Sequence, residues 1–177
     1  MDYPYNNQRM GACGWFHENE GILYQQWASL IFNGTIAEVG NHQGLSLSYI
    51  IDVCRINNNI IYAVDIYHTP EFIKNLNTWD ANSFVKLLTM PSIQAASFFE
   101  DSSLDLVFID GDHDYEPVRQ DILGFLPKIK PNGILAGHDY GSWSGVTQAV
   151  DELLPNRQVM NSVWWHKKAM SIRKLLI

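Results

Sequence analysis

Thr35-Ile36-Ala37-Glu38-Val39-Gly40-Asn41-His42-Gln43-Gly44-Leu45-Ser46 is the stretch that decides the fold. Its first part is a short apolar, β-rich run. A glycine turn follows, and residues 45–54 continue as a helix candidate. A strand delivered through a tight turn into a helix opens a βαβ unit. The pattern then repeats. Apolar runs at 60–65, 85–90, 104–110 and 133–137 alternate with helix candidates at 70–76, 94–99, 115–126 and 146–154. Short apolar runs bounded by turns fit strands buried on both faces of a parallel sheet. Val118, Ile122 and Leu126, and again Val146, Val150 and Leu154, recur every four residues, the stripe of a helix lying on such a sheet. Ser92 is placed to cap the helix at 94–99. In the tail, 158–160 and 163–166 flank Asn161-Ser162 and read as an antiparallel pair. The class is therefore α/β with a doubly wound sheet. Upstream, Leu23, Trp27, Leu30 and Ile31 keep helical spacing, so residues 1–34 read as a helical N-terminal extension of a single domain, 1–177.

Composition narrows the class of function. A chain of 177 residues suggests one domain and buries about 70% of its unfolded surface without help from metals or disulfides. Hydrophobic residues at 46% and charged residues at 18% exclude a disordered chain or a coiled coil. Twelve basic against nineteen acidic residues give a net charge of −7, unsuited to general nucleic-acid binding. No apolar run approaches the roughly 18 residues of a membrane span, and the first residues lack the apolar core of a secretory signal. Cys13 and Cys54 have no C-x-x-C spacing and read as reduced packing residues. These features point to a cytoplasmic protein. Lys167, Lys168, Arg173 and Lys174 make the tail basic, either as a solvated segment or as a docking or homo-oligomer contact.

In an open α/β sheet, ligands bind beyond the carboxyl ends of the strands, near the switch point. Those ends carry Glu38-Val39-Gly40, Asp65, Asp110-Gly-Asp-His113 and His138-Asp139-Tyr140. Gly40 lets the chain turn, Gly44 permits close backbone approach to a ligand, and the helix beyond offers free N–H groups. A tight turn with no ligand fits the same residues. The G-x-G-x-x-G pattern of a nicotinamide site is absent, since position 42 is His. Asp65 stands where an acid grips ribose hydroxyls, or else serves as a solvated strand end or helix cap.

Ala37-Glu-Val-Gly-Asn-His-Gln-Gly-Leu-Ser46, Tyr62-Ala-Val-Asp65, Asp105-Leu-Val-Phe-Ile-Asp-Gly-Asp-His-Asp-Tyr-Glu-Pro-Val-Arg-Gln-Asp121 and Gly133-Ile-Leu-Ala-Gly-His-Asp-Tyr140 together resemble class I S-adenosylmethionine-dependent methyltransferases. Within that class they are most similar to methyltransferase family 24, the small O-methyltransferase-like branch. The resemblance runs over roughly residues 14–168, and 105–140 is its most specific part. It implies a seven-stranded sheet with an antiparallel last strand. It also implies that Glu38, Gly40, Gly44 and Ser46 line the methionine end of the cofactor, that Asp65 holds the ribose, and that Ser92 lies near the adenine.

Methyl transfer to oxygen requires a positioned acceptor and removal or weakening of its proton. A histidine base or a divalent cation can do the second task. Asp110 and Asp139 close neighbouring strands, so their carboxylates can converge on one ion, with oxygen donors favouring Mg²⁺, Ca²⁺ or Mn²⁺. His113 is three residues past Asp110 and can face the same pocket. The resemblance implies that Asp110 and Asp139 take the positions of metal-binding acids and His113 that of the base. The third ligand departs from the family pattern: Tyr140 follows Asp139 and His138 precedes it. His138 is thus either a ligand or a packed histidine. Asp112 and Asp114 read as helix caps, and His17, His42, His68 and His166 as surface or packing residues. Trp15, Phe16, Trp79, Tyr140 and Trp143 read as core or lid aromatics, or as an apolar wall for a small hydroxylated acceptor. With little chain before the first strand, a partner subunit is one way to complete the pocket. Two rival functions remain open here: a non-catalytic methyltransferase-fold binding module, and a nicotinamide-dependent oxidoreductase.

Overall fold

A computed structural model describes residues 7–169. Arg173 and Lys174 of the basic tail lie outside the described residues. A two-stranded antiparallel ribbon, β1 (Asn7–Arg9) and β2 (Ala12–Gly14), precedes α1 (Glu18–Ser29). Then follow β3 (Thr35–Val39), α2 (Leu45–Ile56), β4 (Ile60–Asp65), α3 (Pro70–Thr78), β5 (Val85–Thr89) and α4 (Ser92–Phe98). The second half runs β6 (Leu104–Ile109), α5 (Tyr115–Phe125), β7 (Ile129–Gly137), α6 (Ser144–Leu153), β8 (Gln158–Met160) and β9 (Val163–Lys167).

The main sheet has seven strands in the order β5-β4-β3-β6-β7-β9-β8. The first five are parallel, and β9 runs antiparallel to β7 and β8. This is the Rossmann-like methyltransferase architecture expected from the sequence. From Leu106 on, side chains of β6 alternate between faces: Leu106 and Phe108 join the core under α1, α2 and α3, while Val107 and Ile109 join the core under α4, α5 and α6, which also takes Leu104 from before the register shift. Burial on both faces is why these strands read as unbroken apolar runs. Strand order reverses between β3 and β6, so a crevice opens beyond Val39 and Ile109.

Three details differ from the sequence reading. The N-terminal extension is a ribbon plus a helix. Its helix ends before Leu30, which is 80% exposed; the inward stripe is Glu20, Gly21, Tyr24, Trp27 and Ala28. Strand β7 starts at Ile129, four residues earlier than expected. Its register jumps from Leu104↔Ile129 to Leu106↔Ile134, a bulge that takes up Pro131, which has no N–H for a ladder. Helix α4 begins at Ser92 with Pro91 as its cap residue, so Ser92 does not cap it.

Candidate functional site

The crevice holds a cavity of about 430 Å³, in the range of small-molecule sites. One wall is the β3–α2 turn, with Gly40, Asn41, His42, Leu45 and Ser46. Gly40 has φ +82°, and a Cβ there would stand 2.1 Å from the Asp110 carbonyl oxygen. The glycine thus lets the β3 loop pack on the β6 loop. Gly44 also has positive φ, at +85°, and its missing Cβ makes room for the Phe72 ring. Both glycines therefore shape the turn against protein, and Gly40 also lines the cavity. Leu45 and Ser46 begin α2, so its first amide groups border the cavity, a setting suited to a carboxylate.

Glu38 is fully buried beneath this turn. Its Oε1 accepts hydrogen bonds from Ser46 Oγ at 2.9 Å and Asn41 Nδ2 at 3.3 Å. Burial pushes its carboxyl up to about 8, against the pull of those two donors. Asn41 Oδ1 is a buried acceptor with no hydrogen-bond donor, and Asn41 lines the cavity, whereas Glu38 lies behind it against the buried Tyr24 hydroxyl. Such an orphaned acceptor fits a ligand that brings its own N–H groups. Asp65 holds the turn in shape: its Oδ2 accepts from Asn41 N at 2.9 Å and its Oδ1 from Tyr67 N at 3.3 Å. A carboxylate has about four lone-pair sites, so two stay free for hydroxyls. The residues present fit the amino-acid and ribose parts of S-adenosylmethionine. Ser92 donates to the buried Asp121 of α5. Burial pushes Asp121 up to about 6, against that hydrogen bond.

The facing wall is built from charge. Asp110 and Asp139 end β6 and β7 side by side, and His138 lies between them. His138 Nδ1 is 3.5 Å from Asp110 Oδ1 and 3.5 Å from Asp139 Oδ1. Those separations are long for hydrogen bonds and close to the spacing of adjacent ligands around a divalent ion, about 3.0–3.4 Å for bonds near 2.1 Å. Asp110, His138 and Asp139 are the group that can hold a metal among the described residues. Asp139 adopts φ +66°, a left-handed turn that Asp tolerates better than most residues. Its Oδ2 lies 2.9 Å from His113 Nε2, and the His113 ring stacks on Trp143 with centroids 4.6 Å apart. One carboxylate thus serves both histidines. Burial pushes Asp110 up, against the attraction of His138. Burial also weighs against a charged His138, but Asp110, Asp139 and Glu20 more than reverse it and push the imidazole up to about 12.

Glu20, absent from the residues singled out in the sequence, closes the network from α1. It is fully buried. Its Oε2 lies 3.2 Å from His138 Nε2 and accepts from His17 N at 2.8 Å. Its Oε1 accepts from Ser162 Oγ at 2.6 Å and Ser162 N at 3.2 Å. Burial would raise this carboxyl, but His138, Ser162 and the His17 amide hold it down at about 2. Among the expected aromatics, Trp15, Phe16 and Trp143 line the cavity. Trp79 is instead buried and donates from Nε1 to Met10 O, anchoring the ribbon. Tyr140 pairs with Asp151 and Arg157. His17 and His42 also border the cavity. Residues 13–17 supply one wall of the cavity.

A family model for a methyltransferase domain, that of methyltransferase family 24, matches residues 37–140. The chain belongs to this family, and so to the class I methyltransferases. The uncharacterized protein y4gI of Sinorhizobium fredii is 32% identical over 94 residues. That match covers 49% of this chain, and the chain spans about a tenth, 10%, of that relative's length. A Corynebacterium glutamicum protein of solved structure shares the fold with TM-score 0.71 at 18% identity, covering 90% of this chain and 85% of its own. An S-adenosylmethionine-dependent O-methyltransferase from Thermotoga maritima gives 0.67 at 12% identity, with 90% and 68% covered. A Podospora anserina methyltransferase solved with S-adenosylhomocysteine gives 0.66 at 16% identity, with 85% and 78% covered. Among the described residues, no helix is long and apolar enough to cross a membrane.

Proposed function

We propose that the chain transfers a methyl group from S-adenosylmethionine to an oxygen of a small hydroxylated acceptor, with His113 as general base and a divalent cation at Asp110, His138 and Asp139. The carrying observation is that one carboxylate, Asp139, ties His113 to this ligand group inside the cavity that the β3–α2 turn also lines. S-adenosylmethionine supplies the electrophilic methyl and its own leaving group. The α2 N-terminus takes its carboxylate, Asn41 Oδ1 its ammonium and Asp65 its ribose hydroxyls. Asp139 accepts from His113 Nε2–H, which fixes the tautomer and leaves the Nδ1 lone pair to take the acceptor's proton. Trp143 holds that ring in plane, and Trp15 and Phe16 form an apolar wall that limits water. A cation at the ligand group adds Lewis acidity toward the acceptor hydroxyl.

A metal-free variant of this reading has one observation in its favour: His138 Nδ1 lies 3.5 Å from both Asp110 and Asp139, whose attraction pushes the imidazole up, so an imidazolium would fill the cation's place. Calorimetric titration with S-adenosylmethionine and with NAD tests the main reading. Saturable binding of the methyl donor and none of NAD is the expected result. Binding of NAD alone would return the oxidoreductase reading. Donor binding with no methyl transfer across a panel of simple phenols and hydroxy acids, with Mn²⁺ or Mg²⁺ supplied, would favour the binding module. Turnover unaffected by chelator would favour the imidazolium.

A further inference from the structure

Hydrogen-bond accounting fixes the tautomer of His138. Ser162 Oγ lies 3.0 Å from His138 Nε2 and 2.6 Å from Glu20 Oε1. A carboxylate offers no proton, so the Ser162 hydroxyl hydrogen goes to Glu20. Ser162 Oγ can then only accept from Nε2, as can Glu20 Oε2 at 3.2 Å. Nε2 must therefore carry hydrogen, and in the neutral ring the lone pair sits on Nδ1, the atom placed between Asp110 and Asp139. His138 is 7% exposed and Glu20 0%, so neither can swing out to an alternative partner. Glu20 is further pinned by the His17 amide, and Phe16 packs on the imidazole with ring centroids 5.2 Å apart.

We infer that Glu20 of the N-terminal helix is a positioning residue that presents His138 Nδ1 as a ligand and tunes the site toward first-row transition ions, Mn²⁺ among them, in preference to Mg²⁺. This inference rests on the cation assigned above. A buried carboxylate behind a histidine ligand fixes the ring and raises its basicity. A nitrogen donor among two carboxylates favours first-row transition ions, because Mg²⁺ takes oxygen almost alone and keeps its waters. Glu20 and Ser162 thus couple α1 and the β8–β9 turn to chemistry at the ends of β6 and β7.

The test is metal binding by the chelator-stripped full chain, with no acceptor present. Mn²⁺ and Mg²⁺ are titrated by calorimetry, and electron spin-echo modulation of bound Mn²⁺ reads directly bound ¹⁴N. The wild type should bind Mn²⁺ at least about 10-fold more tightly than Mg²⁺, with a ¹⁴N signal that His138→Ala abolishes. Glu20→Gln should lose about 10–100-fold in Mn²⁺ affinity while S-adenosylmethionine affinity holds. If Glu20→Gln does not fold, Ser162→Ala removes the other Nε2 acceptor and should shift Mn²⁺ affinity in the same direction. Unchanged Mn²⁺ affinity in a folded Glu20 variant, or bound Mn²⁺ without ¹⁴N modulation, overturns the inference and leaves the cation standing. A wild type that binds neither ion removes the cation and this inference together; donor binding and chelator-resistant turnover would then show that the methyltransferase reading survives.

Discussion

The two walls of the cavity are built in different ways. The β3–β4 side is made by neighbours: a glycine turn and the first amides of α2, with Asp65 behind them bonded to the turn's own amide. The β6–β7 side is made by residues far apart in the chain: His17, Glu20, Asp110, His113, His138, Asp139 and Ser162. The first wall offers backbone donors and hydroxyl acceptors, which is what binding needs. The second concentrates titratable groups, which is what proton and cation chemistry needs. Binding and chemistry should therefore be separable by mutation.

The sharpest break is on the second wall. Asp139→Asn replaces the anionic cation ligand and the charged acceptor that orients His113 with a neutral amide, so it should cost turnover on the scale of His113→Ala. For the latter, about 10²–10⁴-fold is expected from loss of a general base. Steady-state rates with Mn²⁺ supplied check both, and donor affinity should be unchanged in each. Next comes Asp65→Ala on the first wall. It removes two acceptor sites for ribose hydroxyls, of about 1.5–3 kcal/mol each, and frees the Asn41 amide. Donor binding should weaken by roughly 10²-fold or more, read by calorimetry.

Gly40→Ala should act on stability before binding. Its Cβ would collide with the Asp110 carbonyl, and its φ of +82° is costly for alanine. Left-handed strain of about 1–2 kcal/mol and overpacking of about 1–3 kcal/mol predict a clear drop in melting temperature. A variant that melts like wild type would contradict the packing role.

The smallest effect is a pH slope. Glu38 titrates at about 8 when folded against an ordinary 4.5, so its contribution is complete below pH 4.5 and is lost as pH rises through 8. His138, raised from 6.5 to about 12, acts in the same direction from pH 6.5 upward. Asp121, raised from 3.8 to about 6, loses its contribution earlier, by about pH 6. Glu20, lowered from 4.5 to about 2, acts oppositely and only below pH 4.5. The metal-free protein should therefore lose stability between pH 6.5 and 8, and Glu38→Gln should flatten part of that slope in thermal melts.

The strands, the switch point and the acids at strand ends were legible because each is a local pattern: an apolar run, a turn and a terminal Asp. Asp110, His113, His138 and Asp139 were readable by position, and the structure brings all four to the cavity. Glu20 was not, because an acid on a surface-like helix looks solvated, and its partner His138 is 118 residues away. A signal did exist. Phasing α1 on Tyr24, Trp27 and Ala28, instead of Leu23 and Leu30, puts Glu20 on the inner face and marks it as a buried charge in need of a partner. The ribbon at 7–14 escaped notice because two three-residue strands leave almost no periodicity to read. Gly40 and Gly44 were recognised as special, but their immediate reason is contact with Asp110 and Phe72, which only the tertiary structure reveals.

The division of labour between the walls is tested most directly by donor-binding isotherms of wild type, Asp65→Ala and Asp139→Asn, measured side by side with S-adenosylmethionine. Wild type and Asp139→Asn should bind equally, and Asp65→Ala should be weaker by roughly 10²-fold. Equal losses in both variants, or a wild type that does not bind the donor, would contradict it.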